Sequence, residues 1–332
     1  MITRHPVRAF SPAGADRWGV PVQLGERRVL HRGRWRWLRA VAWLVLVFYL
    51  TAAGFGLPLQ AAVDHFPPES PALGLVGILL AGAAALGCYL LAVRLGERRW
   101  ASELAARPAL PGLIAGVLLG LLMMAVLMGA MVATGLYDIT VVGTAPAWTG
   151  LGLALQAAIT EELWMRALLF RLLWRAFGPI PAFAVVALVF AAMHLANPGD
   201  NLLAGATVAV AGLMFCAFYA LTGRLWVPIG LHLAWNFAQG YLFGATVSGT
   251  DLGGAIAVST ARPGAAAWLT GGTFGPEASV FALILISAIT MGALGLAWRA
   301  DRFAQHPAGP SDPTTRPSLP RTTVKRLIKV KR

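Results

Sequence analysis

Long apolar runs alternate along the chain with short polar or basic connections. Crossing a bilayer as a helix takes about 20 predominantly apolar residues, and most of the runs reach that length. The pattern predicts spans at roughly Arg39–Leu59, Pro71–Leu95, Pro111–Gly135, Trp148–Phe177, Pro181–Leu195, Leu202–Thr222, Trp226–Phe243 and Ala278–Trp298. Gly178-Pro179 separates the fourth from the fifth, the turn cluster Asn197–Asn201 follows the fifth, and Gly223-Arg224 closes the sixth. In the third, Gly112, Gly116 and Gly120 recur at four-residue spacing, which suits close packing against another helix. The expected fold is all-α: a polytopic membrane protein, a bundle of about eight transmembrane helices with an intramembrane site.

The flanks divide the chain further. Residues 1–37 are rich in Arg, Pro and Gly and read as a basic cytoplasmic arm without fixed structure. Arg34 and Arg36 alternate there with Trp35 and Trp37, an anchor at the membrane interface. The charged region and the apolar run after it are both too long for a signal peptide. Residues 38–299 form the transmembrane bundle. Residues 300–332 are a basic, Pro-rich tail, expected to be disordered and to touch anionic lipid. Between the seventh and eighth spans, residues 245–274 make a Gly/Thr/Ser-rich loop too long for a plain connection.

Composition agrees with the membrane reading. The chain is 58% hydrophobic and 12% charged, against about 25% charged in soluble domains. The net charge of +13 suggests nucleic acid until it is located. Its basic residues fall at the termini and in alternate connections, which is the mark of membrane topology, so the partners expected are the lipid bilayer and a membrane-bound protein or peptide, and no nucleic acid. Eight spans put every basic cluster on one side, which predicts a multi-pass protein of a bacterial plasma membrane with both termini cytoplasmic. The oligomeric state is left open. Cys88 and Cys216 lie inside apolar runs as small core residues; there is neither a disulfide framework nor a Cys-based metal motif.

The candidate chemistry consists of the polar residues inside the runs. The fourth carries Glu161, Glu162 and Arg166, the fifth Phe190 and His194, and the seventh His232 and Asn236. An ionisable group near the bilayer centre is unfavourable by at least ~2.5–3.5 kcal/mol, so such residues mark sites or pathways. Four-residue spacing lets Glu162 and Arg166 neutralise each other, leaving Glu161 about 100° further round and free of that partner. His232 and Asn236 share one helix face, and Phe190 sets an aromatic wall beside His194. Counting ~1.5 Å per residue allows Glu161, His194 and His232 one layer near the midplane, with His194 towards its far side.

These three motifs, in this order, resemble those of the CPBP family, the CAAX protease and bacteriocin-processing group related to the Ras-converting CAAX endopeptidase. The resemblance covers roughly residues 110–245 and includes the context from Leu221 to Asn236. It implies an intramembrane endopeptidase whose cavity faces the cytoplasm. Glu161 would be general base on a water, assisted by His194. His232 and Asn236 would donate to the oxyanion, with Glu162, Arg166 and Phe190 in support. No cofactor is required in that scheme. A metalloprotease scheme uses the same groups differently, with Glu161, His194 and His232 as zinc ligands; the residues satisfy either one. The water scheme is preferred because no His-Glu-x-x-His helix is present, and it expects Glu161 and His194 to be hydrogen-bond neighbours. Other readings of the same residues are a proton-coupled transporter with a Glu/His relay, and a non-catalytic scaffold or bacteriocin-immunity protein. Serine and aspartyl intramembrane proteases are disfavoured. Ser279 and Ser287 have no histidine at matching depth, and Asp138, Asp200 and Asp251 all lie in loops.

Overall fold

The computed structural model describes residues 16–25, 27–31, 33–67, 70–143 and 146–303. Helix α1 (Arg36–His65) turns back against α2 (Pro71–Ala92), which continues as a π-helical turn, Val93–Glu97. Helix α3 (Ala109–Ala133) is followed by strand β1 (Tyr137–Val141). Then one helix runs from Trp148 to Phe177 in three parts: α4 (Trp148–Glu162), a π-helical segment (Leu163–Phe170) and α5 (Arg171–Phe177). Gly178, with φ 92°, reverses the chain into α6 (Pro179–His194), whose first residue is a proline preset for a helix start. Helices α7 (Leu202–Thr222) and α8 (Trp226–Phe237, prolonged by the π turn Ala238–Leu242) follow. Strand β2 (Ala257–Ala261), the single turn α9 (Ala267–Thr270) and α10 (Val280–Arg299) complete the described chain. Side-chain oxygens of Asn201 and Ser279 cap α7 and α10.

All eight expected helical segments are present. Among the described residues, five helices are long and apolar enough to cross a membrane: Arg36–His65, Pro71–Glu97, Ala109–Ala133, Leu202–Thr222 and Val280–Arg299. The other three are the ones that carry the motif residues. The helix from Trp148 to Phe177 holds three charges within six residues, α6 has 16 residues, and α8 with its π turn is also short. Polar and short segments persist at membrane depth where protein, not lipid, surrounds them.

Glycine brings two of these layers together. A Cβ on Gly116 would stand 2.3 Å from the Val227 carbonyl oxygen, one on Gly120 2.6 Å from that of Leu231, and one on Gly230 2.4 Å from that of Leu113. The backbones of α3 and α8 are therefore in direct contact, as the glycine spacing in α3 foretold. This fixes α8, and with it His232 and Asn236, against a straight and apolar support.

Two features differ from the sequence reading. The all-α bundle has a small antiparallel ribbon at one end, β1 on β2, with Tyr137 opposite Ala261 and Val141 opposite Ala257. It ties the long loop after α8 to the connection after α3. The arm, expected to lack structure, is packed where it is described. Val20, Val22 and Leu30 are buried, the Val20 amide donates to the Thr222 carbonyl at 3.1 Å, and Asp16 pairs with the buried Arg302 at 2.6 Å. Its carbonyls satisfy buried arginines: Arg175 donates to Gly25 and Leu30, and Arg171 to Leu24. Arg302 falls in the segment 300–332, so that the tail's first residues are also held. Residues 1–15 and 304–332 lie outside the described residues, and with them most of the expected tail.

Arg171 also belongs to a buried ion network at this basic end. Its guanidinium meets both Glu97 oxygens at 2.7 and 2.9 Å. Trp43 Nε1 and Arg99 Nε donate to the same carboxylate at 3.0 and 2.6 Å. Arg99 reaches on to Glu103 with two bonds of 2.7 and 2.8 Å, and the Tyr89 hydroxyl donates to Glu103 as well. Removing one partner from such a set strands a buried charge, a loss of about 3–5 kcal/mol.

Candidate active site

The site grows from the junction of α4 with its π-helical continuation. A π turn is rare and is found mostly at functional positions, because its extra residue re-aims the side chains around it. Here it follows Glu161-Glu162 directly. Glu162 and Arg166 are both fully buried and paired at 3.1 Å, as their spacing predicts. Arg166 lies against the rings of both Phe190 and Phe215, at 4.7 and 4.8 Å from their centres, and these two rings meet edge to face at 6.4 Å. Phe215 also stacks on His232 at 4.9 Å. Phe190, Arg166, Phe215 and His232 thus form one contiguous cluster joining α6, the π segment, α7 and α8.

Both imidazoles have their Nδ1 committed. His232 Nδ1 donates to Glu162 Oε1 at 2.9 Å. His194 Nδ1 donates to the Phe190 carbonyl at 2.9 Å, its ring tilted against that of Phe190. In each ring Nε2 is the nitrogen left for other work. His232 Nε2 stands 3.9 Å from Glu161 Oε2, an oxygen that is buried without a hydrogen-bond partner. An orphaned carboxylate oxygen in a low-dielectric cleft is a candidate base.

A cavity of about 440 Å³ is lined by Glu161, His194, His232 and Asn236 together. Its walls are apolar, from Leu153 and Ala157 of α4 to Val208, Ala211 and Met214 of α7. Glu161 and His194 share it, but no hydrogen bond joins them; contact between them requires a bridging water or substrate. His194 is the last residue of α6, at the helix end that faces the ribbon. The cavity runs along the bundle. It extends from Glu161 and His232 to Ser248, Thr250 and Asp251 at the ribbon end, away from the basic clusters.

That ribbon-end wall comes from residues that sequence reasoning passed over. Glu277 is buried at the start of α10; one oxygen accepts from Trp235 Nε1 at 2.8 Å, the other from the Ser248 amide and hydroxyl at 2.6 and 2.7 Å. Asn197 donates to the Ser248 carbonyl at 2.9 Å. The loop after α8 is thereby pinned over the cavity. A signal was available, since Glu277 is the lone carboxylate opening the last apolar run. Phe215 offered none, being one aromatic among many.

A zinc site needs three donors aimed at one point at about 2.0–2.2 Å. The two imidazoles are oriented as metal ligands often are, by a carboxylate and a carbonyl. Yet among the described residues no three His, Cys, Asp or Glu side chains gather as a metal-binding group, Glu161, His194 and His232 included.

Fold and site together define a polytopic helical membrane protein with a largely apolar cavity in its bundle, to which a few polar side chains converge. Residues 143–238, from the connection before α4 to the end of α8, match the family described as Rce1-like, type II CAAX prenyl endopeptidase. The match falls on the motif-bearing part of the chain and supports its assignment to the CPBP, CAAX-protease-like family. Neither the curated proteins nor the solved structures give a match to the chain.

Proposed function

We propose that this protein hydrolyses a peptide bond of a membrane-associated protein or peptide with a water activated by Glu161. The observation that carries the proposal is the partnerless Glu161 oxygen in a cavity shared with two imidazoles whose Nδ1 atoms are already committed. Glu161 takes a proton from water while His194 Nε2 holds that water. The hydroxide adds to the carbonyl carbon, and the oxyanion is met by Asn236 and by His232 in its doubly protonated form, whose Nδ1 stays bonded to the Glu162 carboxylate. Collapse breaks the C–N bond, and the proton on Glu161 passes to the leaving amine. Glu162, Arg166 and the rings of Phe190 and Phe215 orient His232 without touching substrate. A prenylated CAAX tail is the substrate that the matched family's description names; nothing in the cavity specifies a prenyl group.

Glu161→Gln tests the assignment, since it keeps shape and hydrogen bonding but removes the base. Turnover is expected to fall about 10²–10⁴-fold with an unchanged melting temperature in detergent. Membrane peptides that accumulate only with this variant would identify substrates. Equal function in the variant would favour a scaffold or transporter. Activity that vanishes on chelation and returns with zinc would overturn the metal-free scheme.

A further inference from the structure

We infer that the cavity is served from the side opposite the cytoplasm, and that its substrate is a membrane-anchored peptide cut at or near the outer leaflet. This rests on the endopeptidase reading of the site. The first observation is charge. Arg262 is the single Lys or Arg in the four connections at the ribbon end, residues 66–70, 134–147, 195–201 and 243–279. The opposite end carries the arm, Arg98, Arg99 and Arg107 in the connection before α3, Arg224, and the arginines that close α10. So one-sided a distribution puts the opposite end in the cytoplasm and the ribbon outside.

The second observation is the direction of the cavity. Its floor is Glu161, Phe215 and His232, and every other lining segment continues towards the ribbon, where Thr250 and Asp251 are exposed. The third is the plug beneath that floor. Arg166, Phe170, Arg171 and Trp174 are fully buried, and below them lies the Glu97–Arg171–Arg99–Glu103 network. A peptide from the cytoplasm would have to break that network; one from outside meets a ready opening.

The form of the opening supplies the anchor. Helix α6 packs on α5, the π segment and α7, whereas α4 packs on α2 and α8. The cavity lies between these two helices, lined by Leu153 and Ala157 of α4 and by Phe190 and His194 of α6, and Leu153 is exposed. An apolar wall with an exposed leucine between two helices suits a peptide still attached to a membrane segment.

Two measurements on the full-length protein decide the matter. Thr250→Cys and Arg107→Cys are labelled with a membrane-impermeant maleimide in spheroplasts, with the wild-type chain as blank, because Cys88 and Cys216 lie within spans. Thr250→Cys is expected to label in intact spheroplasts, and Arg107→Cys only after permeabilisation. The reverse pattern overturns the inference and leaves the endopeptidase reading standing. In the second measurement, peptide N-termini present in wild-type membranes and lost in Glu161→Gln are mapped on their parent proteins. Termini on the outer side of a membrane segment support the inference, and termini in cytoplasmic tails overturn it alone. If no terminus depends on Glu161, the endopeptidase reading falls and takes the inference with it.

Discussion

Glu162 serves two positive partners with one oxygen, Oε1, which meets Arg166 at 3.1 Å and His232 at 2.9 Å. Its other oxygen is buried and unpartnered. Replacing it with Gln leaves Arg166 as a buried cation without a carboxylate partner, held by two rings and neutral groups such as the Gly212 carbonyl. The expected loss is about 3–5 kcal/mol of stability, read as a lower melting temperature in detergent. Turnover should fall too, since His232 loses the acceptor that fixes its tautomer. Glu161→Gln should show the second effect without the first. Two adjacent glutamates then have separable signatures, and if both variants melt early the division of labour between them is wrong.

Contact between α3 and α8 sets where His232 and Asn236 sit, and it depends on the absence of side chains. Gly116→Val places branched carbon where the Val227 carbonyl now lies 2.3 Å from an ideal Cβ. It is expected to be destabilising by about 1–3 kcal/mol and to lower turnover by shifting α8. Gly129→Ala, on the same helix with nothing within 4 Å, is the control and should be neutral or stabilising by roughly 0.5–1 kcal/mol. Melting temperatures of the pair decide between a packing role and a general intolerance of α3. The glycine stripe was legible in the sequence because its reason is local, a repeat on one helix face. So were the eight apolar runs and the three motifs. The ribbon was not, although Ile139, Thr140 and Val141 favour a strand, because its partner lies about 120 residues on. The partners of Arg171 and Arg175 were hidden for the same reason: Glu97 and the arm carbonyls are far away in sequence.

Over the whole molecule, the basic end is locked by buried ion pairs and the ribbon end is held by a two-stranded sheet and a pinned loop. The lock gives stability a dependence on pH. Burial alone would push the Glu103 carboxyl up, but the charge and hydrogen bonds of Arg99 outweigh it and hold it below the ordinary carboxylate range. The unfolded chain then binds this proton more tightly than the folded one. Glu103 therefore contributes its full stability above the unfolded value of about 4.3, and the contribution is lost as pH falls below it. Melting temperature is expected to be level from about pH 8 to pH 5 and to drop in more acid buffer. Glu103→Gln should lower the plateau, by leaving Arg99 with Glu97 alone, and reduce the acid drop. An unchanged acid drop would assign it to another group.

The helix from Trp148 to Phe177 has to satisfy both ends at once, presenting Glu161 to the cavity and Arg171 to Glu97. The π segment between them is what reconciles these two demands. Were a single residue deleted from Leu163–Phe170, the ladder could close as ordinary α-helix, and everything beyond would rotate by about 100° relative to everything before. One obligation would have to be abandoned, either the base in its cleft or the cation in its lock. Reading frame along this helix is thus as strict a requirement as the identity of its residues. Chains of this kind should tolerate exchange of the apolar residues here far more readily than a change in their number.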